Sequence, residues 1–252
     1  MSRLSTLPWS IAAIALLFPA WWLAHRHTTF IADPLVVAEA LPAFLGDPET
    51  WRHIGITVWR VAVGLFLGVA IGAVVAFAMR LSDLSRSVFS LYVTIALRTP
   101  SAIAAILALA IFQRSEIGYM AVVAFITFPF MTIGLLDGLR SADRQLDEVA
   151  QIYRLGTWAL IRHILLPFLA PFVFSAFRNA YALAWKVIVV AEIFGAAKEG
   201  FGARFNYAWD YLLMIDVHLW LLVFIVLVLF VEYGVIRVLE RHVFRWRKTI
   251  DA

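Results

Sequence analysis

The chain has 252 residues, 63% of them hydrophobic and only 15% charged, against about 25% charged in an ordinary globular domain. One soluble core cannot hide so much apolar side chain, so the composition excludes a water-soluble domain and requires a bilayer. A formal charge of +4 on so apolar a background is no nucleic-acid signal, and the absence of cysteine removes disulfides, thiolate catalysis and Cys-based zinc sites.

Six apolar segments follow one another in the order 9–24, 54–79, 88–112, 117–136, 168–197 and 217–236. Each membrane helix takes roughly 20 residues, so six of them use about half the chain. The remainder is too short for a soluble catalytic domain, and any energy source has to come from other chains. The first segment follows Arg3 and resembles the apolar part of a signal peptide. Its length, Pro19 and the Trp21–Trp22 pair favour an anchored helix with interfacial aromatics. The expected division is residues 1–48 as an N-terminal transmembrane helix with its periplasmic connection, and 49–252 as a five-helix core.

The second segment carries Gly64, Gly68, Gly72 and Ala76, a small residue at every fourth position. That spacing predicts a smooth ridge for close helix packing. Basic loop residues set the orientation. Twelve of them (Arg3, Arg80, Arg86, Arg140, Arg144, Arg154, Arg162, Arg237, Arg241, Arg245, Arg247 and Lys248) fall on one side, and five (Arg26, Arg52, Arg114, Lys198 and Arg204) on the other. The positive-inside rule then places both termini in the cytoplasm. Arg60, Arg98, Arg178 and Lys186 lie inside the segments. Of these, Arg178 and Lys186 share one broad face of the fifth span. Together with Trp185 and Glu192 they form a candidate translocation path, or pair with carboxylates such as Glu192 or Glu232.

No phosphate-binding loop, H-E-x-x-H or G-x-S-x-G occurs, so neither ATP hydrolysis by this chain nor an intramembrane hydrolase is expected. His25 and His27 are two apart and do not share a helix face, so no metal site is expected. The halves of the chain show no internal repeat of the kind that marks inverted-repeat secondary transporters.

Residues 139–167, between the fourth and fifth segments, form the longest polar interruption on the cytoplasmic side. Leu146, Val149, Ala150 and Tyr153 recur at helical spacing, with Asp143, Arg144, Asp147, Glu148 and Gln151 on other faces. Gly156 suits a left-handed helix end, Thr157 suits the next cap, and Pro167 suits the entrance to the fifth span. Two short helices with a sharp turn are expected. They either lie at the membrane surface or enter the groove of a cytoplasmic partner.

Glu148-Val149-Ala150, followed at the right distance by Leu166-Pro167, resembles the coupling loop of bacterial ABC-importer permeases. Ala184-Trp185-Lys186, Ala191-Glu192, Gly200-Phe201-Gly202 and the tail Leu239-Glu240-Arg241…Arg245-Trp246-Arg247 are similar to the nitrate/sulfonate/taurine type. The sequence departs from that pattern in three places. Arg154 stands where the loop glycine is expected, Phe112-Gln113-Arg114-Ser115-Glu116 replaces F-G-x-G-E, and Ile106 replaces a second proline in the third span. The turn is therefore expected at Gly156, and the shape of the 112–116 turn is left open.

The resemblance implies an all-α, six-span permease of type I importer architecture in the bacterial inner membrane. It implies a homodimer with two cytoplasmic ATP-binding subunits, which hold ATP and magnesium, and a periplasmic solute-binding protein. Glu148, Val149, Ala150, Tyr153, Gly156, Leu166 and Pro167 would couple to the ATPase, and the cargo would be a small anion such as nitrate, a sulfonate or taurine. A stand-alone secondary transporter or channel, or a membrane scaffold that only recruits proteins, remains as the alternative.

Overall fold

The computed structural model describes residues 16, 18–153 and 156–244; for 142–153 and 157 it describes the backbone alone. Every regular element among the described residues is helical. Helix α1 covers residues 18–27 and α2 covers Pro34–Gly46. The rest of the predicted first span, 9–24, lies largely outside the described residues. Trp21 Nε1 donates to the Ala32 carbonyl at 3.1 Å, and its ring stacks on His218 at 5.6 Å, which fastens α1 beside the start of a distant span.

Helix α3 (Pro48–Leu81) has 34 residues, about 51 Å at the α-helical rise. Asp47 caps it by accepting from the Glu49 N–H at 2.9 Å, and Pro48 takes the first position, where a missing N–H costs nothing. Among the described residues, four stretches are long and apolar enough to cross a membrane: Pro48–Leu81, Glu116–Ser141, Trp158–Phe194 and Met214–Val243. A fifth is counted only if α4 (Asp83–Arg98) and α5 (Ser101–Ile111) are taken as one broken span.

That break corrects the third predicted segment, 88–112, which is not one straight helix. The two pieces meet at 107°. Pro100 disfavours helical backbone at Thr99, which is extended (φ −74°, ψ 121°), and α5 then restarts at Ser101.

The 139–167 segment needs a second correction. Its first half is not a separate short helix but the continuation of α6 (Glu116–Tyr153), because no Gly or Pro falls between Gly138 and Gly156 to stop it. Its second half runs into the fifth span through α7 (Thr157–Leu160), a π turn at Ile161–Leu165 and α8 (Leu166–Phe194). Pro167 has no N–H for the His163 carbonyl; the turn before it widens, and the Leu166 N–H reaches back to Ile161 instead. Gly156 is not left-handed. Its carbonyl accepts the Leu160 N–H at 3.0 Å, so Gly156 rather than Thr157 stands at the cap position.

Helix α9 (Phe201–Asp210) is a short crosspiece, and α10 (Met214–Phe230) passes through a π turn at Val231–Ile236 into α11 (Arg237–Val243). Helix α6 lies at the centre, packed on α3 along one side and α8 along the other. The largest apolar cluster joins all three through Val61, Leu65, Val122, Ile126, Ala184 and Ile188.

Gly64, Gly68, Gly72 and Ala76 are all buried on the α3 face against α6. A methyl group added at Gly64 would lie 2.6 Å from Val123 Cβ, and one at Gly72 would lie 2.6 Å from Met131 Cβ. At Gly68 it would collide with Thr127 Oγ1. The helices touch backbone to side chain, and Thr132 donates across the seam to the Gly72 carbonyl at 3.2 Å. Gly68→Val is expected to destabilise the purified protein by about 1–3 kcal/mol through overpacking. Gly55→Val, with open space at its Cβ position, should change the thermal midpoint far less. Equal midpoints for the two variants would refute the tight seam.

Candidate functional site

A charged side chain inside a span has to find partners or water. Arg60 lies thirteen positions into α3 and is only 2% exposed. Its Nε donates to Glu116 Oε2 at 2.8 Å, and Nη2 makes a second, shorter bond to Glu116 Oε1. Its Nη1 donates to Glu192 Oε1 at 2.7 Å and to the Glu199 carbonyl at 2.8 Å, while the guanidinium lies 4.4 Å over the Tyr119 ring. Four helix and loop segments therefore converge on one cation: α3, the start of α6, the end of α8 and the loop that follows it.

Glu192 is completely buried. Besides Arg60 it accepts from the Thr57 hydroxyl at 2.9 Å and from the Gly202 N–H at 2.7 Å. Thr57 Oγ1 in turn accepts the Phe201 N–H at 2.7 Å, and His53 Nδ1 accepts the Gly200 N–H at 3.0 Å. Three successive amides of the 200–202 turn are thus held by three side chains, and only glycine fits the first position. Gly200 has φ +115°, and a Cβ there would lie 2.5 Å from Glu192 Oε1 and 2.7 Å from Arg60 Nη1. Phe201 then seats its ring against Phe224 (4.8 Å) and Trp220 (5.5 Å). At the rim, Arg52 bonds Glu199 at 2.6 Å and holds that carboxyl below its ordinary pKa.

The turn left open by the lost glycines, 112–116, delivers Glu116 to Arg60. Gln113 (φ 53°) and Arg114 (φ 55°) both adopt left-handed backbone, and the Arg114 N–H bonds the Leu109 carbonyl at 2.8 Å. This is a helix-ending bond pattern that normally places glycine where Gln113 stands. It recurs at Ala196 (φ 47°), where the Ala197 N–H bonds the Glu192 carbonyl, and at Leu212 (φ 57°), where the Leu213 N–H bonds that of Ala208. Three helices at the Arg60 end therefore stop on a strained non-glycine residue.

The sequence-predicted path residues separate into two sets. Glu192 and Trp185 face the chain's own interior, Trp185 in contact with Tyr181 and Phe224. Arg178 and Lys186 stand on the exposed face of α8. Arg178 pairs with Glu232, whereas Lys186 has no ion pair among the described residues. Of the predicted coupling residues, Glu148, Val149, Ala150 and Tyr153 are on the last three turns of α6, where the side chains lie outside the described residues. Gly156 and Leu166 are exposed, and Pro167 sits in the first turn of α8.

The cluster around Arg60 did not emerge from sequence reasoning as a unit, although an arginine inside a span was itself a signal. Arg60→Met is expected to cost about 3–5 kcal/mol, the range for leaving a buried charge unpaired. Glu116→Gln, at a residue 59% exposed, should cost less than half as much. Thermal unfolding of the detergent-purified variants checks the order, and a Glu116→Gln protein as unstable as Arg60→Met would refute it.

The profile of the family described as "Binding-protein-dependent transport system inner membrane component" matches residues 68–246, well over half of the chain. The taurine transport system permease protein TauC of Escherichia coli (strain K12) is 25% identical over 260 residues, covering 100% of this chain and 93% of that one. The riboflavin transport system permease protein RibX of Chloroflexus aurantiacus is 37% identical over 127 residues, 50% of this chain and 46% of that one. Among solved structures, one titled "Crystal structure of an amino acid ABC transporter with histidines" superposes with a TM-score of 0.66 at 16% identity, covering 84% of this chain and 99% of that one, which shows a common fold. With the all-helical fold, the long apolar helices and the profile in agreement, the chain belongs to the inner-membrane permease family of binding-protein-dependent ABC importers.

Proposed function

We propose that two copies of this chain enclose one inward path for a small anion, a sulfonate such as taurine or a comparable ion such as nitrate. In this reading two cytoplasmic subunits bind ATP and magnesium, and a periplasmic binding protein delivers the cargo. The observation that carries the anion assignment is Lys186, an exposed cation without an ion pair on the face of a span. A charge there requires a protein interior or a water-filled cavity beside it, which a second copy would provide. The name of the taurine relative supports the same cargo class.

The lengths of α6 and α8 support coupling to partner subunits. The apolar part of α6 ends near Ser141, yet the helix continues twelve residues to Tyr153, about 18 Å of polar helix beyond the span. Glu148, Val149 and Tyr153 are on that extension. Both termini and the Gly156 end lie in the cytoplasm in this reading, supported by the bias of basic residues toward that side. ATP closure of the partner subunits would move the extension, and the two copies would rock between outward and inward states.

Reconstitution of the permease with its ATPase and binding protein in liposomes tests the whole reading, with labelled taurine as probe. Uptake is expected to need ATP and to stop with vanadate. Uptake by the permease alone, driven by an ion gradient and abolished by ionophore, would overturn it in favour of a secondary transporter. Uptake of riboflavin in place of taurine would overturn the anion assignment only.

Lys186→Met is expected to slow uptake at least about tenfold, the effect of roughly 1.4 kcal/mol, while the complex still assembles. Wild-type uptake by that variant would remove Lys186 from the path. Glu148→Arg is expected to leave the permease inserted but to weaken ATPase docking by roughly a few kcal/mol, as for a reversed rim charge. A variant that still copurifies with its ATPase and still couples hydrolysis to uptake would defeat the assignment of Glu148.

A further inference from the structure

Arg178 lies sixteen residues before the end of α8, about 24 Å from that end along the helix. It bonds Glu232 in the π turn Val231–Ile236, and its Nη1 is 3.9 Å from Glu240 Oε2 in α11. One guanidinium therefore faces two carboxylates of a single neighbouring helix. The π turn explains how. In an unbroken α-helix, residues eight apart point about 80° apart. A π turn absorbs one extra residue without advancing the face, which brings Glu232 and Glu240 to within about 20° of one line. The two carboxylates end up stacked two turns apart, facing α8.

That alignment costs helix regularity toward one end of a span, and a simple charge pair needs only one carboxylate. Arg178 is also half exposed (49%) while Glu232 is mostly covered (19%), so the cation sits at the edge of the pair. Helix α8 is continuous through Leu166 and the π turn Ile161–Leu165 with the segment beginning at Thr157. An axial push on that segment therefore reaches Arg178 without an intervening loop.

We propose that Glu232 and Glu240 are alternative seats for the Arg178 guanidinium, one for each conformational state of the permease. The conformer described here, with Arg178 on Glu232, is the resting state, and the stroke of α8 carries the guanidinium toward Glu240. The guanidinium already lies 3.9 Å from Glu240, so exchanging seats takes a slip of α8 shorter than the one-turn steps by which packed elements switch between discrete states. Glu232 and Glu240 are positioning residues here: they touch Arg178, not the cargo. The inference rests on the reading of the chain as half of an ATP-driven importer.

The seats make a prediction that a merely stabilising ion pair does not. Loss of Glu232 releases the resting state, and loss of Glu240 strengthens it, so the two isosteric variants act in opposite directions. In the reconstituted complex of permease, ATPase and binding protein, Glu232→Gln is expected to raise ATP hydrolysis without binding protein at least about fivefold, the lower end of ordinary coupling between states. Glu240→Gln should leave that basal rate at or below wild type and reduce the stimulated rate by a similar factor. Glu232→Asp, which keeps a carboxylate, should restore near-wild-type coupling. Copurification with the ATPase and the thermal midpoint establish that each variant is assembled. Two variants that shift hydrolysis in the same direction, or that leave it unchanged, would overturn the proposal. A wild-type complex without ATP-dependent uptake would instead strike the importer reading on which it rests.

Discussion

A guanidinium buried in a membrane protein must be enclosed by partners, and the arrangement of this permease follows from how Arg60 meets that requirement. Desolvating an arginine and a carboxylate costs several kcal/mol per ion, which their attraction offsets only with good geometry and further hydrogen bonds. Glu192 supplies the charge, Glu116 a second one, and the Glu199 carbonyl fills another N–H. Those partners come from positions 56, 132 and 139 residues away along the chain. Their convergence fixes the ends of α6 and α8 against α3, and with them the turn that leads into α9. The glycine seam between α3 and α6 completes the arrangement, since it brings the backbones close enough for short side chains to meet.

Class, packing surface and helix content were legible because each depends on local chemistry. Apolar runs of the right length announce a span, and Gly64, Gly68 and Gly72 announce a close neighbour whatever that neighbour is. Local reasoning failed at two points where a residue was given the wrong weight. Pro100 falls inside the 88–112 apolar run, and its effect on Thr99 breaks the helix there. Gly156 was given a left-handed turn because glycine permits one, whereas the structure uses its carbonyl to start the next turn. The absence of helix breakers in 139–153 was in plain view and implied that α6 would run on.

The Arg60 cluster was less legible for a different reason. Glu116 stands inside a degraded motif and Glu192 inside an intact one, but nothing local says that both reach the same arginine. Pairings across more than a hundred residues are set by which helices pack together, and sequence spacing carries no such information. The same holds for Arg178, where Glu192 and Glu232 were equally good partners on paper. Glu192 is already committed to Arg60, which leaves Glu232 and, at 3.9 Å, Glu240 within reach.

Gln113, Ala196 and Leu212 end three different helices in backbone that glycine would adopt freely, and all three lie at the Arg60 end. Each such residue costs about 1–2 kcal/mol, so that end of the molecule stands several kcal/mol above what glycines would allow. Strain of this kind persists only where the surrounding structure over-determines it, and the partners gathered around Arg60 supply that surround. Glycine at these three positions would adopt the same backbone without that cost and would leave the Arg60 cluster in place.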